Sequence, residues 1–167
     1  MSAIEQKRLA YRPVAVRILL IGESAPAGGT FFYNGDSILA QYTCQAFEAA
    51  FGLVRSMNEF LAAFKDLGCY LLDLCPTPVN HLDKAPRADA RRASIKHLAK
   101  ALSGMSPDLV VIVMKDIESE VVEALSLAGL DHIPRRALPF PVRKRDAEYV
   151  SGLTSLFRQW KAGGFSR

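Results

Sequence analysis

Four short apolar runs, separated by longer amphipathic stretches, constrain the fold of this chain more than any other feature. The runs span residues 16–22, 69–75, 109–114 and, more weakly, 135–140. Strands of a parallel sheet form nearly continuous apolar runs because helices cover both faces of the sheet. The alternation therefore predicts an α/β fold, a three-layer αβα sandwich around a central, mainly parallel four-stranded sheet.

The stretches between these runs carry helix signals. Ser56 and Glu59 form a capping box, and Gly52, Gly68 and Gly129 stand where helices commonly end. Because the 167 residues contain no linker-like stretch, a single domain over residues 1–167 is expected. Besides a short helix in the first ten residues, helices are predicted over residues 37–51, 56–67, 88–103, 117–128 and 146–160.

Composition narrows the class of protein. The apolar runs are far shorter than the ~18 residues that a membrane span requires, and the N-terminus lacks the apolar core of a secretory signal. A cytoplasmic protein without a membrane partner is therefore expected. Cys44, Cys69 and Cys75 show no CxxC spacing, which favours buried thiols, so neither a metal nor a cofactor is predicted.

Three loops are rich in glycine, proline and polar residues and follow predicted strands. They span residues 23–36, 76–87 and 139–145. In open α/β sheets, ligands bind outside the carboxyl ends of the strands. The candidate site is therefore expected where these three loops meet.

The first two of these regions carry recognisable motifs. The first loop contains GESAPAGGTFFYNGDS, and the second strand leads into LLDLCPTPVNHLDKAPR. From about residue 17 to residue 114, this pattern resembles the uracil-DNA glycosylase superfamily, most closely its iron-sulfur-bearing branch. The resemblance implies base-excision repair of DNA, with hydrolysis of the N-glycosidic bond of uracil or a related damaged or deaminated base.

The resemblance also implies roles for individual residues. Glu23 matches the start of the family's first motif and is the predicted catalytic residue, because a carboxylate there could orient water or place negative charge beside a developing cation. A salt bridge or a helix cap is the alternative for Glu23. The resemblance implies Phe32 as the ring that stacks on the extruded base and Asp73 as the residue that recognises the base edge. An aromatic ring suits this task because every base has a face on which it can stack. Alternatively, Phe32 and its two aromatic neighbours fill the core beneath the loop. The predicted base-binding residues are Gly22, Ser24, Phe32, Asp73 and Asn80.

Contacts with DNA are predicted around the tetrapeptide LPFP and in the second loop. Apolar side chains flanked by cations suit insertion into a duplex and contact with its phosphates. A proline-rich strand exit with solvated charges is the alternative. Arginines at the start of a helix oppose its dipole, which hints at an external anion near Arg87, Arg91 and Arg92, with solvation of an exposed turn as the alternative. The predicted DNA-binding residues are Arg87, Leu138, Phe140, Pro141, Arg143, Lys144 and Arg145.

Two positions depart from the family pattern. Asp73 replaces an asparagine, and an ionised carboxylate can only accept hydrogen bonds. The substrate is then not uracil, or Asp73 is protonated, or Asn80 recognises the base. Phe140 replaces a histidine and cannot donate a hydrogen bond to the departing base. The four cysteines of the related branch are also lacking, so no iron-sulfur cluster is expected.

These departures leave two other functions open. One is a nucleic-acid-binding module that keeps the fold and has lost catalysis. The other is a small esterase, because NGDSILA resembles the GDS block of an esterase family and offers Ser37 as nucleophile. That block should follow the first strand directly, and here it does not. His81, beside Asn80, is a further functional candidate.

Overall fold

A computed structural model describes residues 1–165 of the chain. Its centre is one sheet of four strands in the order β2-β1-β3-β4, and every neighbouring pair is parallel. This arrangement confirms the predicted α/β class and the parallel four-stranded sheet. The strands are β1 (Ile18–Gly22), β2 (Cys69–Asp73), β3 (Leu109–Ile112) and β4 (Arg135–Ala137).

Six α-helices flank the sheet and complete a three-layer αβα sandwich. Helix α2 packs against α6, α4 packs against α5, and α3 contacts β2. None of the helices in residues 1–165 is long and apolar enough to cross a membrane. The helices are α1 (Ala3–Ala10), α2 (Ile38–Phe51), α3 (Met57–Asp66), α4 (Lys84–Leu102), α5 (Glu118–Leu127) and α6 (Asp146–Lys161).

Strand β1 lies in the middle of the sheet and organises the core. Its residues are buried throughout, as a strand covered by helices on both faces must be. In its pairing with β2, Gly22 is the register partner of Asp73. The two strands therefore end at the same level, and the residues that follow them enter the same space.

Two predicted boundaries are wrong in informative ways. Helix α4 begins at Lys84 rather than at residue 88, because Pro86 is tolerated in the first turn of a helix. Arg87 therefore belongs to a helix and not to a loop. Strand β4 ends at Ala137, well before residue 140, since Pro139 and Pro141 have no N–H group to continue the ladder.

The loop after β1 contains a short 3₁₀ helix, Phe32–Asn34, which Gly35 ends with a φ of 75°. A side chain at residue 35 would also meet Met57, since a Cβ built there lies 2.9 Å from the Cβ of Met57. The turn directs Phe31, Phe32 and Tyr33 inward, and all three rings are buried.

Candidate functional site

A cavity of about 320 Å³ lies at the carboxyl ends of the strands and is lined by parts of all three predicted loops. This volume is near the lower end of the ~300–1,000 Å³ range typical of ligand pockets. Eight residues predicted from the sequence line it together. They are Gly22, Glu23, Ser24, Phe32, Asp73, Asn80, Arg87 and Phe140.

Glu23 directly follows β1 and is held by two arginines of α4. Arg87 donates from Nε to Oε1 of Glu23 at 2.7 Å and from Nη2 to Oε2. Arg91 donates from Nε to Oε1 at 2.6 Å. Arg87 and Arg91 are four residues apart on one helix, so both face the same carboxylate. Arg91 thus has an internal partner in place of the external anion that the sequence suggested.

The two arginines determine the charge state of Glu23. Burial raises the pKa of Glu23, but the hydrogen bonds from Arg87 and Arg91 outweigh it and hold the pKa below its ordinary value. Glu23 is therefore ionised at neutral pH. Within the described residues Oε2 accepts from Arg87 alone, and a carboxylate oxygen has two lone pairs. Glu23 can still accept a hydrogen bond from a bound molecule.

Asp73, at the end of β2, is paired with an arginine of the N-terminal helix α1. Nη2 of Arg8 donates to Oδ2 of Asp73 at 2.6 Å, and the Arg8 and Asp73 side chains are only 9% and 6% exposed. Arg8 also contacts Glu5 at 2.6 Å. Burial raises the pKa of Asp73 above its ordinary value, and the Arg8 guanidinium opposes the rise.

The second carboxylate oxygen of Asp73 lies over Gly22. A Cβ built at Gly22 would be 2.8 Å from Oδ1 of Asp73, which is closer than real Cβ atoms approach a neighbour. Residue 22 must therefore be glycine if Asp73 is to keep its position. Both residues line the cavity, and no hydrogen bond to Oδ1 is formed by the residues that the structure describes.

The aromatic wall of the cavity comes from Phe31 and Phe32. Phe32 packs against Phe60 and Phe64 of α3, with ring centroids 6.2 Å and 5.4 Å away, so it also fills the core. The guanidinium carbon of Arg8 lies 5.4 Å from the ring centroid of Phe31. The two interpretations of these rings are thus compatible, since rings fixed by the core form the cavity wall.

Ser24 and Asn80 connect the first two loops. Oγ of Ser24 accepts a hydrogen bond from the Val79 N–H at 3.2 Å, and Oδ1 of Asn80 accepts one from the Ala27 N–H at 2.9 Å. Asn80 is exposed. These bonds stabilise the loops, and they occupy the side-chain oxygen of Asn80.

The third loop contributes to the mouth of the cavity. Phe140 and Val142 line the cavity, and Arg143, Lys144 and Arg145 follow directly in the sequence with exposed side chains. These three residues, the basic rim Arg143–Arg145, therefore follow directly on Val142, which lines the cavity. Arg143 and Lys144 have φ values of 54° and 67°, a left-handed conformation that is uncommon for such residues.

The other two predicted DNA contacts lie elsewhere. Pro141 is buried, and Leu138 packs against α6, where a Cβ built at Gly152 would be 2.7 Å from Cδ2 of Leu138. Their placement does not favour insertion into a duplex. Phe140 and Val142 are the apolar residues of this loop that line the cavity.

Ser37 also lines the cavity, but its hydroxyl caps α2 by accepting from the Ala40 N–H at 3.1 Å. His81 is exposed, and none of the three histidines lines the cavity, so the described cavity residues offer Ser37 no histidine base. Within residues 1–165 there is no group of three or more histidine, cysteine or acidic side chains that could hold a metal ion.

The sequence interpretation missed Arg8, and of the three candidate rings it selected Phe32 and left out Phe31 as a site residue. Nothing local identifies Arg8, because its partner Asp73 is 65 positions away. Phe31 could have been found, since it belongs to the same aromatic triplet as Phe32. No protein-family model matches the chain, and no curated protein matches it significantly. Its function is therefore inferred from the residues of the cavity.

Proposed function

We propose that this protein binds one extruded base of DNA in the cavity and hydrolyses its N-glycosidic bond. The convergence of two carboxylates with opposite pKa shifts and an aromatic wall in one cavity supports this proposal above all. Titratable pairs whose environments separate their pKa values are typical of catalytic sites. Stacking on an aromatic ring contributes about 1–3 kcal/mol to the binding of a base.

In this proposal Glu23 orients the attacking water. Its low pKa makes it a weak base, but as the N-glycosidic bond breaks the bonding electrons leave with the base, and a positioned water attacks the oxocarbenium-like carbon that remains. The base anion takes up the proton that the water loses, so the products are a free base and a sugar hydroxyl. Oε2 of Glu23 has a lone pair left to accept a hydrogen bond from that water. The two arginines keep the carboxylate in one orientation.

In this proposal the guanidinium of Arg87 is the positive charge beside the departing base. It lines the cavity, and its side chain remains 27% exposed although it binds Glu23. A guanidinium close to the base stabilises the negative charge that develops as the bond breaks. Arg87 would thereby serve the purpose of the histidine that the family resemblance implies at Phe140.

The basic rim is the proposed contact with the DNA backbone. Three consecutive cations directly after a residue that lines the cavity would pair with phosphates next to the extruded nucleotide. We expect binding of DNA to weaken as salt concentration rises, because phosphate contacts release counterions.

The test is release of free base from oligonucleotides that carry uracil, hypoxanthine, xanthine, hydroxymethyluracil or methylated bases that keep their amino groups. For Glu23→Gln we expect the rate of release to fall by a factor of about 100 or more. DNA affinity should change little. Glu123→Gln, an exposed glutamate on α5, is the matched control and should retain full activity. Undiminished release by Glu23→Gln would exclude its proposed role.

A non-catalytic nucleic-acid-binding module is the second candidate. It is favoured by Phe140, which lines the cavity and cannot donate a hydrogen bond. Salt-dependent DNA binding without release of any base would support this module. Turnover of a p-nitrophenyl ester that Ser37→Ala abolishes would instead support an esterase.

A further inference from the structure

Arg8 does not line the cavity, but it binds Asp73, which does. Resting on the proposed function, we infer that Arg8 keeps Asp73 a hydrogen-bond acceptor, so that the cavity selects bases with an exocyclic amino group, as in cytosine or adenine. Arg8 is then a positioning residue that acts through Asp73. Asp73 itself would contact the base.

Several contacts hold Arg8 in place. Nη2 bonds Asp73 and Nη1 bonds Glu5, each at 2.6 Å, while the guanidinium lies near the ring of Phe31. The Arg8 carbonyl also accepts from the Tyr70 hydroxyl at 3.4 Å. An arginine side chain does not lose its proton in proteins, so this pair favours an ionised Asp73.

The geometry leaves one carboxylate oxygen for a ligand. Arg8 occupies Oδ2 of Asp73, whereas Oδ1 lies beside Gly22, and both Gly22 and Asp73 line the cavity. An ionised carboxylate accepts hydrogen bonds and cannot donate one. An amino group of a base would therefore be bound at Oδ1, and a carbonyl oxygen in the same place would be repelled.

Arg8 is the group that opposes protonation of Asp73. Glu23 and Glu5 are the other charged groups that act on Asp73, and both of them, like burial, raise its pKa. Without Arg8, Asp73 would take up a proton more readily and could donate a hydrogen bond to a carbonyl.

The other polar side chains at this end of the cavity are less suited to the task. The oxygen of Asn80 already accepts from Ala27, and Asn80 is exposed. Oγ of Ser24 accepts from Val79. Asp73 is thus a buried cavity side chain with one carboxylate oxygen, Oδ1, that accepts no hydrogen bond from the described residues.

The experiment is an NMR titration of the full chain with free cytosine, uracil, adenine and hypoxanthine. Within each pair a carbonyl replaces the amino group, and the adjacent ring nitrogen changes from an acceptor to an N–H donor, so the titration compares whole base edges. We expect the amino-bearing base to bind roughly tenfold more tightly or better, since a hydrogen bond to a charged group is at stake. Equal affinities, a preference for the carbonyl-bearing base, or no binding of any base would overturn the inference.

Three variants separate the positioning role from a structural one. Arg8→Met and Asp73→Asn should both lose the amino preference and favour the carbonyl-bearing base, because each provides a donor at residue 73. Arg8→Lys retains the positive charge and should retain the amino preference. A merely structural role would lower all four affinities together. If Arg8→Met does not fold, as thermal unfolding will show, Asp73→Asn and Arg8→Lys still decide the question.

The titration and the base-release assay fail independently. Binding with amino preference but no release from any oligonucleotide would exclude the hydrolase and retain this inference. Release of bases from DNA without amino preference in the titration would retain the hydrolase and exclude this inference.

Discussion

Glu23 and Asp73 stand at the carboxyl ends of two adjacent parallel strands and face one cavity, yet their environments differ. Glu23 accepts hydrogen bonds from two guanidinium groups, which lower its pKa despite burial. Asp73 receives one guanidinium, and burial raises its pKa. The comparison shows that the number of charged donors, more than the place in the fold, decides the protonation behaviour of each acid.

This difference also separates the proposed roles of the two acids. Glu23 remains ionised over a wide pH range and suits a fixed position beside water. Asp73 depends on a single partner, Arg8, and its hydrogen-bonding character can be changed by one substitution. Three predictions test the comparison.

The largest effect is expected at the Asp73 pair. Arg8→Met leaves Asp73 buried without its cation and should lower the free energy of unfolding by about 3–5 kcal/mol. Urea denaturation of this variant and the wild type at pH 7 measures this loss in the free energy of unfolding. Arg12→Met removes an exposed arginine close by and should change stability by less than about 1 kcal/mol.

A double variant sharpens this result. Arg8→Met combined with Asp73→Asn removes the uncompensated charge, so it should be more stable than Arg8→Met alone. If the two single effects simply add, Arg8 and Asp73 are not energetically coupled, and the contrast with Glu23 disappears.

A smaller effect is expected from crowding Asp73. Gly22→Ala places a methyl group 2.8 Å from Oδ1 of Asp73 and should cost about 1–3 kcal/mol, as overpacking does. Gly28→Ala, in the loop that follows, meets nothing within 4 Å and should be nearly neutral. Thermal unfolding of the two variants tests the difference, which equal stabilities would contradict.

The smallest effect is in the pH dependence of stability. The lowered pKa of Glu23 contributes stability that is present above its ordinary value of 4.5 and is lost as pH falls through the folded value. The raised pKa of Asp73 has the opposite sign, because protonation relieves the cost of burying its charge. On acidification from pH 7, Glu23→Gln should therefore lose less stability than the wild type.

By the same reasoning, Asp73→Asn should lose more stability than the wild type over this range. Urea denaturation at a series of pH values gives the three slopes, and the remaining carboxylates are common to all three proteins. Identical slopes would contradict opposite pKa shifts.

The fold and the location of the cavity could be predicted because they depend on local patterns. The apolar runs specify buried strands, and parallel strands bring their carboxyl ends together, which placed Glu23 and Asp73 side by side. The loop motifs supplied Phe32 and Phe140 as cavity residues. Each of these inferences needs only neighbouring residues and the geometry of a sheet.

The charge partners could not be predicted, because they depend on contacts between distant parts of the chain. Arg8 reaches Asp73 across 65 positions, and Arg87 reaches Glu23 across 64. The layers, the sheet and the acids at its edge thus follow from the amino-acid sequence alone. Which cation binds each acid depends on the folded chain, since long-range pairing leaves no periodic signal in the sequence.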